Sequence, residues 1–345
     1  MIAARPRNAL TPPAGPAPHA HPLHTPVLVA PVLDMLAPRP NGRYLDGTLG
    51  MGGHAEALLA AAPGIEVCGL DRDPQALEHA RERLAPLGGR VHLFHKTYSE
   101  FAVALCELGW SGADVRPDQV LDGALLDIGV SSLQLDDAAR GFSLHGIGPL
   151  DMRMDQGSAL PSAWQLVNRA PYATLRGHIA TLGEDPQAGR IARAIVDARQ
   201  KRSIDTTEEL ADIVWRAYPP AWRARARNHP ATRTFQALRM VVNDELGQLR
   251  AFLDAILPAL RLGGRLAIIT FHSLEDRMVK QAMRHWAEGC RCPQTVMRCQ
   301  CRHVPEVRIL TRKPLVADAA ECRANPRASC AKLRACERVS TGVAA

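Results

Sequence analysis

The sequence predicts an α/β protein: a doubly wound domain of alternating strands and helices, interrupted by an inserted helical domain. Three observations carry this reading. From Gly42 onward, short apolar runs alternate with helix-length segments. The first such run leads into a glycine-rich turn that opens a helix. The alternation then stops at about Leu135, where helical patterns and loops take over, and resumes after Val242.

Taken in order, the predicted strands are residues 43–45, 65–70, 91–94 and 121–126, the last apolar apart from Asp122. Helices are expected over 55–62, from Asp73-Pro74 to about Leu84, and over 99–108. Asp is a good N-cap, and Pro is tolerated at the first helical position. Strands alternating with helices argue for a parallel sheet covered on both faces. The inserted stretch contains helical patterns over 188–199, 207–218 and 232–243, the second opened by Thr206-Thr207-Glu208-Glu209. A helix over 244–260, a turn at Gly263-Gly264 and a strand over 265–270 restore the α/β rhythm. A helix over 275–286 follows, and the rest of the chain is Cys- and Arg-rich with weak structure signals. The expected organisation is a disordered tail over 1–22, a Rossmann-like domain from 23–134 and 243–345, and a helical substrate-recognition domain over 135–242.

Composition sets the outer limits. The chain has 345 residues, 46% hydrophobic and 22% charged, enough to bury a full core. No apolar run is long enough to span a bilayer and the N-terminus lacks a secretory layout, so a cytoplasmic protein with no membrane partner is expected. The formal charge of +7 weakly favours a polyanionic partner. Its distribution is more informative: no acidic residue occurs over 213–243, where Arg216, Arg223, Arg225, Arg227, Arg233 and Arg239 interleave with Trp215, Tyr218, Trp222 and Phe235. Arginines that pair with phosphates, beside aromatic faces that stack on unpaired bases, suit RNA. A solvated helical face with its aromatics turned inward is the alternative.

Of nine cysteines, seven lie beyond Gly289. Cys290, Cys292, Cys299 and Cys301 form two C-x-C pairs that four-thiolate zinc chemistry could use, although C-x-C is tighter than the usual zinc spacing. A reduced set of thiols is the other reading, and no metal is assigned to the site.

The glycine turn reads Asp46-Gly47-Thr48-Leu49-Gly50-Met51-Gly52-Gly53-His54. Its place between a strand and a helix marks a nucleotide-type ligand loop, and Asp71 stands about 20 residues on, where a carboxylate accepts ribose hydroxyls. NAD and S-adenosylmethionine both use such a scaffold. NAD brings a diphosphate that seeks the helix N-terminus. S-adenosylmethionine brings a sulfonium and an ammonium, which suit Asp46, Asp71 and Asp127 better than a diphosphate does.

These residues belong to longer signatures. They include Leu70-Asp71-Arg72-Asp73-Pro74, Leu126-Asp127-Ile128-Gly129-Val130-Ser131-Ser132, Gln134-Leu135-Asp136, Arg140-Gly141-Phe142-Ser143 and Asp151-Met152-Arg153-Met154-Asp155. His229-Pro230-Ala231-Thr232-Arg233-Thr234-Phe235, Phe271-His272-Ser273-Leu274-Glu275 and Leu310-Thr311-Arg312-Lys313-Pro314 follow. With them the chain resembles the bacterial 16S rRNA (cytosine N4)-methyltransferases, the MraW or RsmH family, over nearly everything after the tail. The resemblance implies a Rossmann-like S-adenosylmethionine-dependent methyltransferase that modifies N4 of a cytosine, position 1402 of 16S rRNA, in the decoding region of the small ribosomal subunit. It also implies donor contacts at Gly52, Gly53, His54, Asp71, Tyr98, Asp127 and Gln134, with Tyr98 standing where family members often carry Phe.

An exocyclic amine attacks a sulfonium methyl directly, so in-line positioning supplies much of the acceleration and no cysteine nucleophile is required. Cys68 and Cys106 are accordingly read as core or helix-face thiols. Asp127 is the expected catalytic residue, either orienting the amine with the main chain of residues 129–132 or holding the methionine end of the donor. Asp136, Asp151 and Arg153 are read as either crevice residues or loop caps, and His272 as either site-facing or structural.

Overall fold

A computed structural model of the chain describes residues 26–111, 118–144, 146–226, 228–292 and 300–342. The tail expected to be disordered, Arg227 and Cys299 lie outside the described residues.

The N-terminal half alternates α1 (Val29–Leu36), β1 (Arg43–Asp46), α2 (Gly53–Ala61), β2 (Glu66–Asp71), α3 (Pro74–Leu84), β3 (Val91–His95), α4 (Phe101–Glu107) and β4 (Leu121–Asp127). Local chemistry explains the boundaries. Asp73 caps α3 by accepting the Gln75 N–H at 3.1 Å, and Pro74 occupies the first turn, where its missing N–H costs nothing. After the short α5 (Ser132–Asp136) come α6 (Ala163–Arg169), α7 (Tyr172–Thr181), α8 (Ala188–Arg199), α9 (Thr207–Ala217), α10 (Pro220–Arg223) and α11 (Ala231–Val242). Thr206 and Glu209 form a reciprocal capping box at the head of α9. These helices bury a core of their own, with Leu175, Ile179, Ile191, Ile195, Leu210 and Leu238 fully enclosed.

Then α12 (Glu245–Ala259), β5 (Leu260–Thr270), α13 (Ser273–Trp286), β6 (Val307–Ile309), α14 (Ala319–Ala324) and β7 (Lys332–Arg338) complete the order. Among the described residues the sheet has seven strands in the order β3-β2-β1-β4-β5-β7-β6. Both faces are covered. Leu45, Phe101, Phe252 and Val279 pack on one side, and Val32, Leu58, Leu77 and Leu125 on the other.

Two expectations need correction. The sheet is not all parallel: β7 runs antiparallel to both β5 and β6. The strand Lys332–Arg338 has a weak sequence signal because two of its buried positions are arginines. Arg334 is held by Asp276 at 2.6 Å, and Arg338 donates to the carbonyls of Pro258 and Leu260. In addition, β5 begins five residues before the expected strand and runs through Gly263-Gly264. Gly263 has φ +79°, and the pairing with β4 shifts register there, so the glycines make an irregularity within the strand instead of ending it.

Candidate active site

The strand order reverses between β1 and β4, and ligands of open α/β sheets sit beyond the carboxyl ends of strands at such a point. The glycine turn occupies this position because it is bonded to its neighbours on both sides. Gly47 N–H donates to the Leu125 carbonyl at 3.0 Å, and Asp127 N–H donates to Thr48 Oγ1 at 2.5 Å. On the other side, Gly50 N–H donates to Asp71 Oδ2 at 2.7 Å. Gly47 has no room for a side chain: a Cβ would fall 2.5 Å from Leu126 Cδ2 and 2.9 Å from Tyr98 Cβ. Gly52 takes φ +79° as the residue capping α2.

Of the seven donor-contact residues expected from the sequence, Gly53, His54, Asp71, Tyr98, Asp127 and Gln134 line one cavity. Gly52 is not among its lining residues; it turns the backbone into α2. Asp46, expected to face a cationic ligand, is also outside the lining and is buried beneath the loop at 1% exposure. It acts on the cavity from below, accepting the Thr48 N–H and interacting electrostatically with His54, Asp127 and Asp71. Tyr98 Oη donates to the Glu245 carbonyl at 3.2 Å, and its ring stands edge-on to Phe252. Gln134 is held at both ends, its Oε1 accepting Ser131 N–H at 3.1 Å and its Nε2 donating to Asp73 Oδ2 at 2.8 Å.

Burial dominates the electrostatics. It pushes Asp46 up to about 7, with His54 pulling in the opposite direction. It likewise raises Asp71 to about 6, although Asp71 accepts N–H groups from Gly50 and Asp73. For His54, burial acts to lower the pKa, but Asp127 and Asp46 outweigh it and the net shift is upward. His54 Nε2 lies 3.6 Å from Asp127 Oδ2. Among the described residues, both ring nitrogens of His54 and Asp127 Oδ1 are buried polar atoms without a hydrogen-bond partner, an arrangement that a polar ligand relieves.

A second cavity adjoins the first, sharing Val130, Phe271 and Arg327 with it. Its remaining walls come from the helical insertion, including Phe142, Phe235, Gln236 and Arg239, and from His272. His272 also caps α13 and lies 2.9 Å from Glu275. Asp136 lines this cavity and pairs with Arg327 at 2.6 Å. Asp151 and Arg153 line neither cavity and pair with each other at 2.8 Å, the loop-capping alternative. Cys68 is a buried strand residue whose thiol burial pushes up to about 12, and Cys106 is half-buried on α4.

The arginine-rich stretch divides. Arg239 is mostly buried, with both its Nε and Nη2 donating to Glu245, and Arg233 donates to the Glu184 carbonyl. Tyr218 and Phe235 point inward. Trp215 and Trp222 are exposed, the Arg223 guanidinium lies 5.3 Å from the Trp215 ring centre, and Arg216 and Arg225 are exposed beside them. The stretch is therefore partly a core-facing helix and partly an exposed cationic, aromatic surface. Sequence reasoning missed Thr48, Glu245 and Arg327 as cavity residues. Thr48 lay within the glycine turn, whereas Glu245 and Arg327 reach the site only through folding.

Comparison with known proteins follows the same lines. The family model of the MraW methylases matches residues 21–339. The ribosomal RNA small subunit methyltransferase H of Desulfovibrio desulfuricans is 68% identical over 317 residues, 92% of this chain and 94% of that protein. The protein of the same name from Nitratidesulfovibrio vulgaris strain DP4 is 64% identical over 92% of this chain and 95% of its own length. A solved rRNA methylase from Streptococcus thermophilus superposes with a TM-score of 0.36 at 12% identity, over 90% of this chain and 95% of that one, and a likeness of that size carries no weight. With the family model spanning nearly the whole chain and relatives this close in sequence, the chain belongs to the MraW methylase family.

Proposed function

We propose that the chain transfers the methyl group of S-adenosyl-L-methionine to the exocyclic N4 of a cytosine, position 1402 of 16S rRNA, in the small ribosomal subunit. The observation that carries this reading is the cavity at the β1/β4 switch point, where the glycine turn, Asp71 and the His54–Asp127 pair meet. The residues suit this donor. Asp71 keeps a lone pair on each oxygen for ribose hydroxyls, and Asp127 Oδ1 is an acceptor still to be satisfied. Of the three arginines that line the cavity, Arg83 and Arg327 are engaged by Glu56 and Asp136, and Arg72 donates to the Asn243 carbonyl.

When bound, the donor supplies an electrophilic methyl on a sulfonium. The protein positions the amine and removes water from around it. Gly53 permits close approach of the backbone, Tyr98 offers a ring face, and Asp71 orients the ribose. Asp127 supplies the carboxylate at the reacting end. His54 Nε2 stands 3.6 Å from Oδ2, and Oδ1 is left to accept an N–H, from the donor's ammonium or from the target amine. Catalysis on N4 needs no thiol, in keeping with the cavity linings, which contain none.

The target base is stacked in folded RNA and has to be drawn out to reach a recessed methyl group. The second cavity suits such a base, with Phe142, Phe235 and Phe271 for its faces and Gln236 for its edge. Residues 135–242 would then act as the substrate-recognition domain, the exposed Trp215, Trp222 and Arg225, with the half-buried Arg223 against Trp215, holding the surrounding RNA. Among the described residues no helix is long and apolar enough to cross a membrane. We place the activity in the cytoplasm, with the ribosomal substrate.

The test is a tritiated methyl-transfer assay on small subunits from a strain lacking the enzyme, with the labelled nucleoside identified. Label in N4-methylcytidine is the expected result; no transfer, or label in another nucleoside, refutes the assignment.

A further inference from the structure

Beyond the methyl-transfer site, the turn between α13 and β6 gathers three thiols. The Sγ atoms of Cys290, Cys292 and Cys301 all lie within 4.8 Å of one another, and Cys301 Sγ is 3.9 Å from Cys290 Sγ. A disulfide needs about 2.05 Å between sulfurs, so this separation is not that of a disulfide. Four sulfurs placed tetrahedrally at about 2.3 Å from a zinc ion stand ~3.8 Å apart, close to what is seen here.

The surroundings are organised around sulfur. The Arg291 N–H, between Cys290 and Cys292, points at Cys301 Sγ from 3.4 Å. The Gln300 N–H, just before Cys301, points at Cys292 Sγ from 3.4 Å. Each C-x-C segment thus donates a backbone N–H to a sulfur of the other, and such donors offset the negative charge of metal-bound thiolates.

The thiols rest on an anchored frame. Arg291 donates to Glu306 at 2.7 Å and to the His285 carbonyl at 3.4 Å. Glu306 in turn donates its N–H to the Trp286 carbonyl at 2.8 Å and accepts the Val339 N–H at 2.8 Å. The group is therefore tied to the end of α13 and to the chain beyond β7, and none of its thiols lines either cavity.

We propose that Cys290, Cys292 and Cys301 bind one thiophilic cation, zinc, in a mononuclear site that closes the excursion between α13 and β6. An all-thiolate set selects a soft or borderline ion over calcium or magnesium. The site's role is structural: it joins the segment after α13 to the segment before β6, and none of its thiols lines a methyl-transfer cavity. Cys299, the fourth thiol of the two pairs, lies outside the described residues and is not assigned.

The test uses the full chain, purified from zinc-supplemented culture. One zinc per chain by mass spectrometry of the metal is expected. Replacement by cobalt should give intense near-ultraviolet thiolate-to-cobalt absorption together with visible bands of tetrahedral strength. Cys290→Ser, Cys292→Ser and Cys301→Ser should each lose stoichiometric metal, while Cys106→Ser keeps it. Because a misfolded variant also loses metal, alkylation of the unmodified protein gives a second measure: zinc should protect these three thiols from iodoacetamide, and a chelator should expose them. Less than stoichiometric zinc, cobalt without thiolate bands, alkylation indifferent to the chelator, or a disulfide among the three would overturn the proposal.

Discussion

Arg140 Nη2 stands 2.8 Å from Asp73 Oδ2, with the two residues only 2% and 1% exposed. The pair is the centre of a buried network. Asp73 also caps α3 and accepts from Gln134, and Arg140 also donates to Gln75 and to the Met154 carbonyl. Asp73 caps the helix that follows Asp71, and Arg140 lies near the start of the stretch 135–242, so the pair ties that stretch to the head of α3.

Breaking that pair should cost more than a surface ion pair. Arg140→Ala leaves the Asp73 charge buried without its cationic partner, and a loss of about 3–5 kcal/mol in urea unfolding is expected. A double-mutant cycle with Asp73→Asn should show strong coupling. Additive effects would mean that the two side chains are stabilised independently.

Asp71 should control donor affinity. It accepts from Gly50 and Asp73 as well as facing the cavity, so Asp71→Ala disturbs the turn, whereas Asp71→Asn keeps the size and one acceptor oxygen. Losing even one hydrogen bond worth about 1.4 kcal/mol weakens S-adenosylmethionine roughly tenfold. Calorimetry of both variants checks this, and unchanged affinity in Asp71→Ala would remove Asp71 from the donor site.

Gly47→Ala tests the close approach of the turn to Leu126 and Tyr98. Overpacking at this point should lower stability by about 1–3 kcal/mol and weaken the donor by displacing the Tyr98 ring. A Gly47→Ala protein with native stability and donor affinity would show that the neighbours yield freely.

Asp46 predicts a pH dependence. Its folded pKa of about 7 lies above the ordinary 3.8, so the folded chain holds this proton more tightly than the unfolded chain. The resulting stability is fully present below about pH 4 and is lost as pH rises through about 7. Asp46→Asn carries no such proton. Relative to the unsubstituted protein, its stability should climb between pH 4 and 7 and level off above. Denaturant midpoints at several pH values measure this, and a difference constant with pH would contradict the buried, protonated carboxyl.

For RNA, the double charge reversal Arg223→Glu with Arg225→Glu should weaken binding to small-subunit rRNA and reduce the slope of log affinity against log salt by about 1–2. Affinity for S-adenosylmethionine should not change, because neither residue lines a cavity. Unaltered RNA binding would move the interface elsewhere.

Much of this molecule was readable in the chain. The helix starts at Asp73-Pro74 and Thr206 were legible because capping depends on a few adjacent residues. The glycine turn and Asp71 were legible because a strand, a turn and the next strand's end are local, ordered features. The strands β6 and β7 were not, since Arg334 and Arg338 look like surface residues until Asp276 and distant carbonyls satisfy them. The arginine-rich stretch shows the same limit: composition grouped Arg239 with Arg225, and only packing against Glu245 separates the buried one from the exposed one.

The sequence by itself determined the α/β rhythm, the glycine turn and the family, because periodicity, capping and long motifs are properties of neighbouring residues. Tertiary structure decided the rest. It put Asp46 under the loop and Asp127 beside His54, turned the C-terminal strand antiparallel, and brought three cysteines within reach of one another. Burial and long-range pairing set those outcomes, and both depend on which distant segments share a space after the chain has folded.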